Sequence, residues 1–353
     1  MTPGVAHARA EDYLRSLPDA SVGLVLTDPP YFRVKGLAWD RAWSSSDGFV
    51  EWLAGIANEW RRVLKPNGTL VCFAANNPAT ARGATLAARI EVMLAERFNI
   101  INAVTWVKGE GFHRTASPKA CRAYFPQTER VIIAEQCNAD GWAMGEAQYD
   151  AKCDELRGRV FEPLRAYLDG ERQRAGVTPQ QVNEATGTQM AGHWFSSVQW
   201  ALPTAKHYAT MRALFNGTSP GEYLRREYED LRREYEDLRR EYEDLRRPFD
   251  ANAGAHYTDV WTYRTVQASK GKHPCAKPRA MALDIVRQCS RPGDVVLDTF
   301  AGSGVFLSAA AQLGRVAIGC DADEWWSAHA NRAVANATEP AVAGGQMPLV
   351  GIR

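Results

Sequence analysis

Two stretches decide how this chain reads: Val22-Gly23-Leu24-Val25-Leu26-Thr27-Asp28-Pro29-Pro30-Tyr31, and Val295-Val296-Leu297-Asp298-Thr299-Phe300-Ala301-Gly302-Ser303-Gly304 near the other end. Each opens with an apolar, β-branched run of the kind that forms a buried parallel strand. The first then presents a carboxylate, two prolines and an aromatic ring. The second runs through a glycine-rich turn into the helix-prone Val305 to Leu313. One segment suits the holding of a flat polar ring, and the other lets a ligand approach the backbone closely. Their presence in one chain points to a transferase.

The 353 residues are enough for a full α/β domain and a second module. The balance of 42 basic against 41 acidic residues leaves no polybasic signature, so any nucleic-acid surface must be a local patch. Seven scattered cysteines include no Cys-x-x-Cys pair, which argues against a zinc knuckle or a disulfide framework and for a reducing compartment. No metal site is expected. No apolar run reaches spanning length and Met1 to Ala10 lacks a signal core, so the expected location is the cytosol.

Working outward from the two stretches, strands and helices alternate on both sides. Asp12 to Leu17, Phe49 to Leu64 and Ala81 to Arg97 have helical periodicity. Val22 to Leu26, Thr69 to Ala74, Ile100 to Val107 and Arg130 to Glu135 read as strands, with Lys65-Pro66-Asn67-Gly68 a turn. After a strand-like His256 to Thr265, the alternation resumes: helix Pro278 to Gln288, strand Asp294 to Leu297, helix Val305 to Leu313, strand Val316 to Gly319 and helix Glu324 to Ala335. This pattern predicts a doubly wound, mostly parallel sheet covered on both faces.

Between these halves strand signals fade. Lys152 to Arg174 reads as one helix. Thr178-Pro179 is a cap followed by a proline at the first helical position, and Gly187 turns the chain before Met190 to Phe195. Two short helices about a tight turn match a helix-turn-helix, or equally an ordinary small helical subdomain. Next, Glu-Tyr-Glu-Asp-Leu-Arg-Arg occurs three times from Glu227 to Arg247. Tyr228, Leu231, Tyr235, Leu238, Tyr242 and Leu245 form a heptad seam that can pair two chains or lie as a strut against its own domain, and Pro248 stops it. The domains read as 1 to 138, a helical insert over 139 to 255 (helix-turn-helix about 171 to 216, heptad helix about 221 to 247), 256 to 340, and a tail over 341 to 353.

Asp28-Pro29-Pro30-Tyr31 has a specific chemical use. An amine conjugated to a heteroaromatic ring is a poor nucleophile because its lone pair is delocalised. A carboxylate and a backbone carbonyl accepting its N–H bonds favour a pyramidal nitrogen, and a tyrosine ring gives the base a stacking face. Such chemistry needs the base out of its helix. Taken alone, the motif is equally a strand closed by a proline turn. The glycine turn is neither the three-glycine dinucleotide fingerprint nor a phosphate loop. Asp321, at the end of the next strand, can hold ribose hydroxyls or cap the following helix. A cofactor with a ribose and no pyrophosphate fits best.

These residues resemble the S-adenosylmethionine-dependent amino-group DNA methyltransferases, of the N6-adenine type. The catalytic motif precedes the cofactor motif with a long insert between, which looks like the β-group of that family, a circularly permuted methyltransferase-type sheet. Leu17 to Val22, Arg62 to Gly68 and His273-Pro274-Cys275-Ala276-Lys277-Pro278 look like further family landmarks. Two departures are Cys275, where the family often has a hydroxyl residue, and Ala8-Arg9-Ala10, which lacks the acidic residue often found near the cofactor adenine.

The resemblance implies S-adenosyl-L-methionine as cofactor and double-stranded DNA as substrate, in a bacterial or phage-type enzyme. It implies that Asp28 and the Pro29 carbonyl, followed by Pro30, bind the target amine, and that Tyr31 stacks on the flipped base. Asp298, Phe300, Gly302, Ser303 and Gly304 would line the methionine end, Asp321 the ribose, and His273, Pro274 and Lys277 would close the site, with Asp28 facing the cofactor. Specificity would reside in the insert, with Gln189, His193 and Ser196 reading base edges and Arg172, Arg174, Lys206 and Arg212 on phosphate. Heptads and family habit point to a homodimer. The rival readings are an N4-cytosine methyltransferase, in which serine is commoner in place of Asp28, and a catalytically silent sequence-specific DNA-binding regulator.

Overall fold

A computed structural model describes residues 1–33, 42–77, 80, 82–109, 124, 126–136, 149–197, 200–245, 248–250, 253–256, 258–266 and 275–338. Two compact units divide the chain: Met1–Cys137 with Pro248–Arg353, and Asn138–Arg247.

The first unit opens with β1 (Gly4–His7), α1 (Ala10–Ser16), β2 (Val22–Thr27), α2 (Ser46–Val63), β3 (Leu64–Ala74), α3 (Leu86–Ala95), β4 (Asn99–Val107) and β5 (Thr128–Glu135). In the second unit are α4 (Tyr149–Val160), α5 (Glu162–Arg174), α6 (Pro179–Thr186), α7 (Ala191–Phe195), α8 (Ala205–Thr218) and α9 (Tyr228–Leu245). The first unit then resumes with β6 (Val260–Thr262), α10 (Arg279–Cys289), β7 (Val295–Asp298), α11 (Val305–Gln312), β8 (Val316–Asp321) and α12 (Glu324–Thr338).

The strands form one sheet in the order β1-β8-β7-β2-β3-β5-β4-β6. All pairings are parallel except those of β5, which runs antiparallel to both β3 and β4. The strands are apolar on both sides because both sides are covered. Val25, Leu70, Cys72 and Ile132 pack with Leu14, Phe49, Ile56, Trp60 and Ile90 of α1, α2 and α3. Their neighbours Leu24, Leu26, Val71, Phe73 and Val131 pack on the opposite face with Met281, Ile285, Phe306, Leu307 and Val334 of α10, α11 and α12. This is the expected doubly wound, mostly parallel architecture.

From β2 the chain winds through α2 to β3 on one side, and from β7 through α11 to β8 on the other. β2 and β7 lie side by side, with Leu24 opposite Val296 and Val25 opposite Leu297. Strand order therefore reverses between them, and a crevice opens beyond their carboxyl ends.

Some local expectations change. Lys65 to Gly68, read as a turn, is a bulge within β3: Val22 pairs with Leu64 while Leu24 already pairs with Thr69. The helix expected over Lys152 to Arg174 is broken at Phe161, which caps a new helix starting at Glu162 with Pro163 in its first turn. β1 was not foreseen. It is four residues long, and its backbone is bonded by Asn331, whose Oδ1 accepts from Val5 N at 2.7 Å and whose amide donates to Val5 O.

The helical unit has its own core, built on Leu164, Leu168, Val182, Trp194, Met211, Phe215 and Leu231. The Thr178 cap forms as expected, with a reciprocal bond from Gln181 and Pro179 in the first turn. Of the two readings of the heptad seam, the packing within the chain matches the strut. Leu231 is fully buried, Tyr235 stacks on Phe161 at 5.4 Å, Tyr228 OH donates to Pro203 O at 3.0 Å, and Tyr242 packs against the same core. Among the described side chains, the seam packs against its own unit.

Candidate functional site

A cleft of about 680 Å³ lies over the carboxyl ends of β1, β2, β7 and β8, wholly within the sheet unit. That volume suits a small-molecule ligand. Its floor is the pair of segments quoted first from the sequence. Thr27 Oγ1 donates to Asp298 Oδ1 at 2.9 Å, so the end of β2 is bonded directly to the end of β7. Asp28, Pro29, Pro30 and Tyr31 line one part, and Asp298, Phe300, Gly302 and Ser303 the other.

The glycine turn is shaped by steric need. Gly302 and Gly304 have φ of +46° and +71°. A Cβ on Gly304 would come within 2.7 Å of Ala330 Cα, so both backbone angle and packing demand glycine there. Asp321, at the end of β8, accepts from Gly302 N at 2.8 Å and from Asp323 N at 2.9 Å. It thus fixes the turn as well as facing the cleft. Burial raises the Asp321 carboxyl, and these two N–H groups pull it partly back. Asp298 is pushed up to about 7 by burial, against bonds from Phe300 N and Thr27.

Beside the turn, Asp28 sits in a buried polar network. Tyr31 OH donates to Asp28 Oδ1 at 2.7 Å and lies 3.0 Å from Glu129 Oε2. Lys277 Nζ donates to Asp28 Oδ2, and to Tyr31 OH at 2.7 Å. Glu129 is also paired with Lys108 at 2.7 Å. Two carboxylates so close cannot be equivalent. Burial raises Glu129, but the Lys277 and Lys108 ammonium groups outweigh it and hold that carboxyl below its usual range. Burial, with the nearby Glu129 charge, raises Asp28 against the pull of Lys277. Lys277 is held protonated by the two acids despite its burial.

The structure thus brings Asp28, Pro29, Pro30, Tyr31, Lys277, Asp298, Phe300, Gly302, Ser303 and Asp321 to one cleft, with Gly304 behind the turn. His273 and Pro274 lie outside the described residues. Lys277 is placed against Asp28 rather than as a simple closing residue. Sequence reasoning missed Glu129 and Lys108, and also Glu11. The acidic residue found wanting at Ala8 to Ala10 stands one position later, lining the cleft and accepting from Trp52 Nε1 at 2.7 Å. Trp43, Trp52 and Phe300 form an aromatic wall, with ring centroids 4.5 and 5.8 Å apart, and Trp326 lines the cleft beyond Asp323.

In the helical unit, Gln189, Ser196 and Lys206 are exposed. Trp194 and Phe195 are core residues, and α7 is only five residues long. Arg172 and Arg212, expected on phosphate, are bonded within their own unit. Arg172 pairs with Asp169, donates to Val177 O at 2.7 Å and lies over the Phe195 ring. Arg212 donates to Arg226 O, pairs with Glu227 at 3.4 Å and lies over the Tyr208 ring. Arg174 binds Glu171 and Glu222 O while staying half exposed.

The DNA methylase family model, that of the N6/N4 methyltransferases, matches residues 22–332, which is most of the sheet unit and all of the helical one. The chain belongs to this family. Among curated relatives, it is 38% identical over 78 residues to type II methyltransferase M2.DpnII of Streptococcus pneumoniae, a match spanning 21% of this chain and 29% of that protein. It is 22% identical over 317 residues to type II methyltransferase M.BglII of Bacillus subtilis, spanning 88% of this chain and 63% of that one. The chain thus spans less than a third of the first relative's length. Among solved structures, TTHA0409 of Thermus thermophilus shares the fold, with TM-score 0.50 and 20% identity over 96% of this chain and 95% of that one. That protein is assigned as a DNA modification methylase and was solved with S-adenosyl-L-methionine.

Proposed function

We propose that this chain transfers a methyl group from S-adenosyl-L-methionine to the N6 amino group of an adenine turned out of double-stranded DNA. The observation that carries the reading is the meeting, on one cleft, of the Asp28 motif with a glycine turn whose surroundings are acidic. Glu11, Asp28, Asp298, Asp321 and Asp323 line it against Arg9 and Lys277. An excess of carboxylates suits a ligand that carries an ammonium and a sulfonium. When bound, that cofactor supplies an electrophilic methyl group on a positively charged sulfur.

In this reading the backbone at Gly302 to Gly304 receives the methionine end beside Asp298. Asp321 holds the ribose, and Trp326 and Glu11 flank the adenine side. Asp28 and the Pro29 carbonyl accept the two N–H bonds of the target amine and direct its lone pair toward the donor. As the nitrogen becomes cationic, the Asp28 carboxylate stabilises it. Tyr31, its hydroxyl fixed from behind, offers its ring to the base. In the helical unit, this reading has the exposed Gln189, Ser196, Lys206 and Arg174, together with His193, meet the DNA.

A carboxylate at position 28, rather than the serine commoner in N4-cytosine enzymes, supports adenine as the target. Unmethylated DNA should be incubated with labelled S-adenosyl-L-methionine and digested to nucleosides. Label in N6-methyldeoxyadenosine supports the reading, and label in N4-methyldeoxycytidine replaces it with the cytosine alternative. Cofactor binding with no label in any DNA would favour a silent DNA-binding regulator.

A further inference from the structure

We propose that Glu129 is a positioning residue for this transfer: it takes over the Lys277 ammonium when the target amine reaches Asp28. The inference rests on the proposed methylation, because it concerns how Asp28 becomes available for it.

Both oxygens of Asp28 are engaged, Oδ1 by Tyr31 and Oδ2 by Lys277. A lysine ammonium and an exocyclic amine are the same kind of donor, and they compete for one carboxylate. Lys277 is 4% exposed, so its charge cannot simply retreat to water, and leaving it unpaired in the interior would be strongly unfavourable. A second seat is already built. Glu129 Oε2 stands 3.5 Å from Lys277 Nζ, so a shift of roughly 1 Å converts a long contact into a full ion pair. The rings of Tyr31, Phe73 and Trp106 lie 5.1, 5.1 and 5.9 Å from Nζ and confine the ammonium to that path.

Lys108, Glu129, Lys277 and Asp28 therefore form a row of alternating charge ending at the cleft, with Tyr31 OH bridging the two acids. Before the amine arrives, Lys277 keeps the buried Asp28 paired. When the amine arrives, Glu129 neutralises Lys277, and the full charge of Asp28 faces the nitrogen that turns cationic. The residue works through Lys277 and touches neither base nor cofactor.

The test is single-turnover methylation of unmethylated DNA by the full chain, with cofactor affinity measured calorimetrically on the same samples. Glu129→Gln should slow the chemical step about tenfold or more while cofactor affinity holds within about twofold. Adding Lys277→Met to Glu129→Gln should recover most of the loss, since the competitor for Asp28 is gone. A Glu129→Gln protein as fast as wild type would overturn the proposal, and so would a double variant no faster than the single one. Should Glu129→Gln fail to bind cofactor, the comparison moves to Glu129→Asp with and without Lys277→Met, with the same two outcomes decisive. Wild-type protein that methylates no DNA would instead overturn the functional reading itself.

Discussion

Thr27 and Asp298, 271 positions apart in the chain, are joined by a 2.9 Å hydrogen bond between the ends of β2 and β7. Both side chains are buried, at 0% and 1% exposure, so the bond is not exchanged with water. It ties the motif that would hold the base to the motif that would hold the cofactor. Thr27→Val keeps the shape and removes the donor, leaving Asp298 Oδ1 with the Phe300 N–H alone. The expected cost is about 1–3 kcal/mol of stability, read by denaturant unfolding. Cofactor affinity at neutral pH should fall as well, because the lost bond favours the ionised carboxylate.

Asp298 also sets a pH dependence. Its carboxyl is raised from 3.8 to about 7 in the folded chain, first by burial. It therefore binds a proton in the folded state over a range in which the unfolded chain has released it. The contribution to stability is present in full below the ordinary aspartate value and is lost as pH rises through about 7, a swing on the order of 4 kcal/mol. Asp298→Asn should flatten this part of the profile of melting temperature against pH. A cationic ligand beside Asp298 favours its ionised form, so the cofactor should raise the melting temperature more at pH 8 than at pH 6.

Asp28→Ala should abolish methyl transfer while leaving cofactor binding measurable, since the carboxylate acts on the amine. Residual transfer near the wild-type rate would remove Asp28 from the reaction. Tyr31→Ala should weaken capture of the flipped base by about 1–3 kcal/mol, the range for a base stacked on an aromatic ring. The fluorescence of 2-aminopurine placed at the mapped target would report it. Because Tyr31 OH also bridges Asp28 and Glu129, Tyr31→Phe separates the two contributions: it keeps the ring and removes the bridge.

The sheet and the floor of its cleft were legible because both rest on local signals. Val22 to Leu26 and Val295 to Leu297 are apolar on both faces, and Asp28 and Gly302 follow them within two and five residues. Glu129 was not legible for a topological reason. β5 is the one reversed strand among the described residues, so a residue near its beginning shares an edge with residues that follow the ends of β2 and β7. Nothing in Thr128 to Glu135 announces that reversal, since a strand buried on both faces reads the same in either direction. Glu11 was missed by one position because β1, which sets the register of that corner, carries only four residues of signal. In the helical unit, charge alone did not show that Arg172 pairs within its own helix. Its partner Asp169 lies one helical turn away and binds it from the same helix.

The heptad helix gives the clearest separation of pattern from packing. A seam of tyrosine and leucine at alternating spacings of three and four fits a partner helix or the chain's own core, and sequence periodicity is the same for both. In the structure Leu231 is fully buried in the helical unit, where Tyr235 and Tyr242 meet Phe161. Leu231→Ala should therefore cost about 2–5 kcal/mol in the unfolding of that unit. The mass measured by light scattering should not change, whether the protein is a monomer or a homodimer formed through another surface. A shift from dimer to monomer in Leu231→Ala, with the unfolding midpoint unmoved, would instead place this seam between two chains.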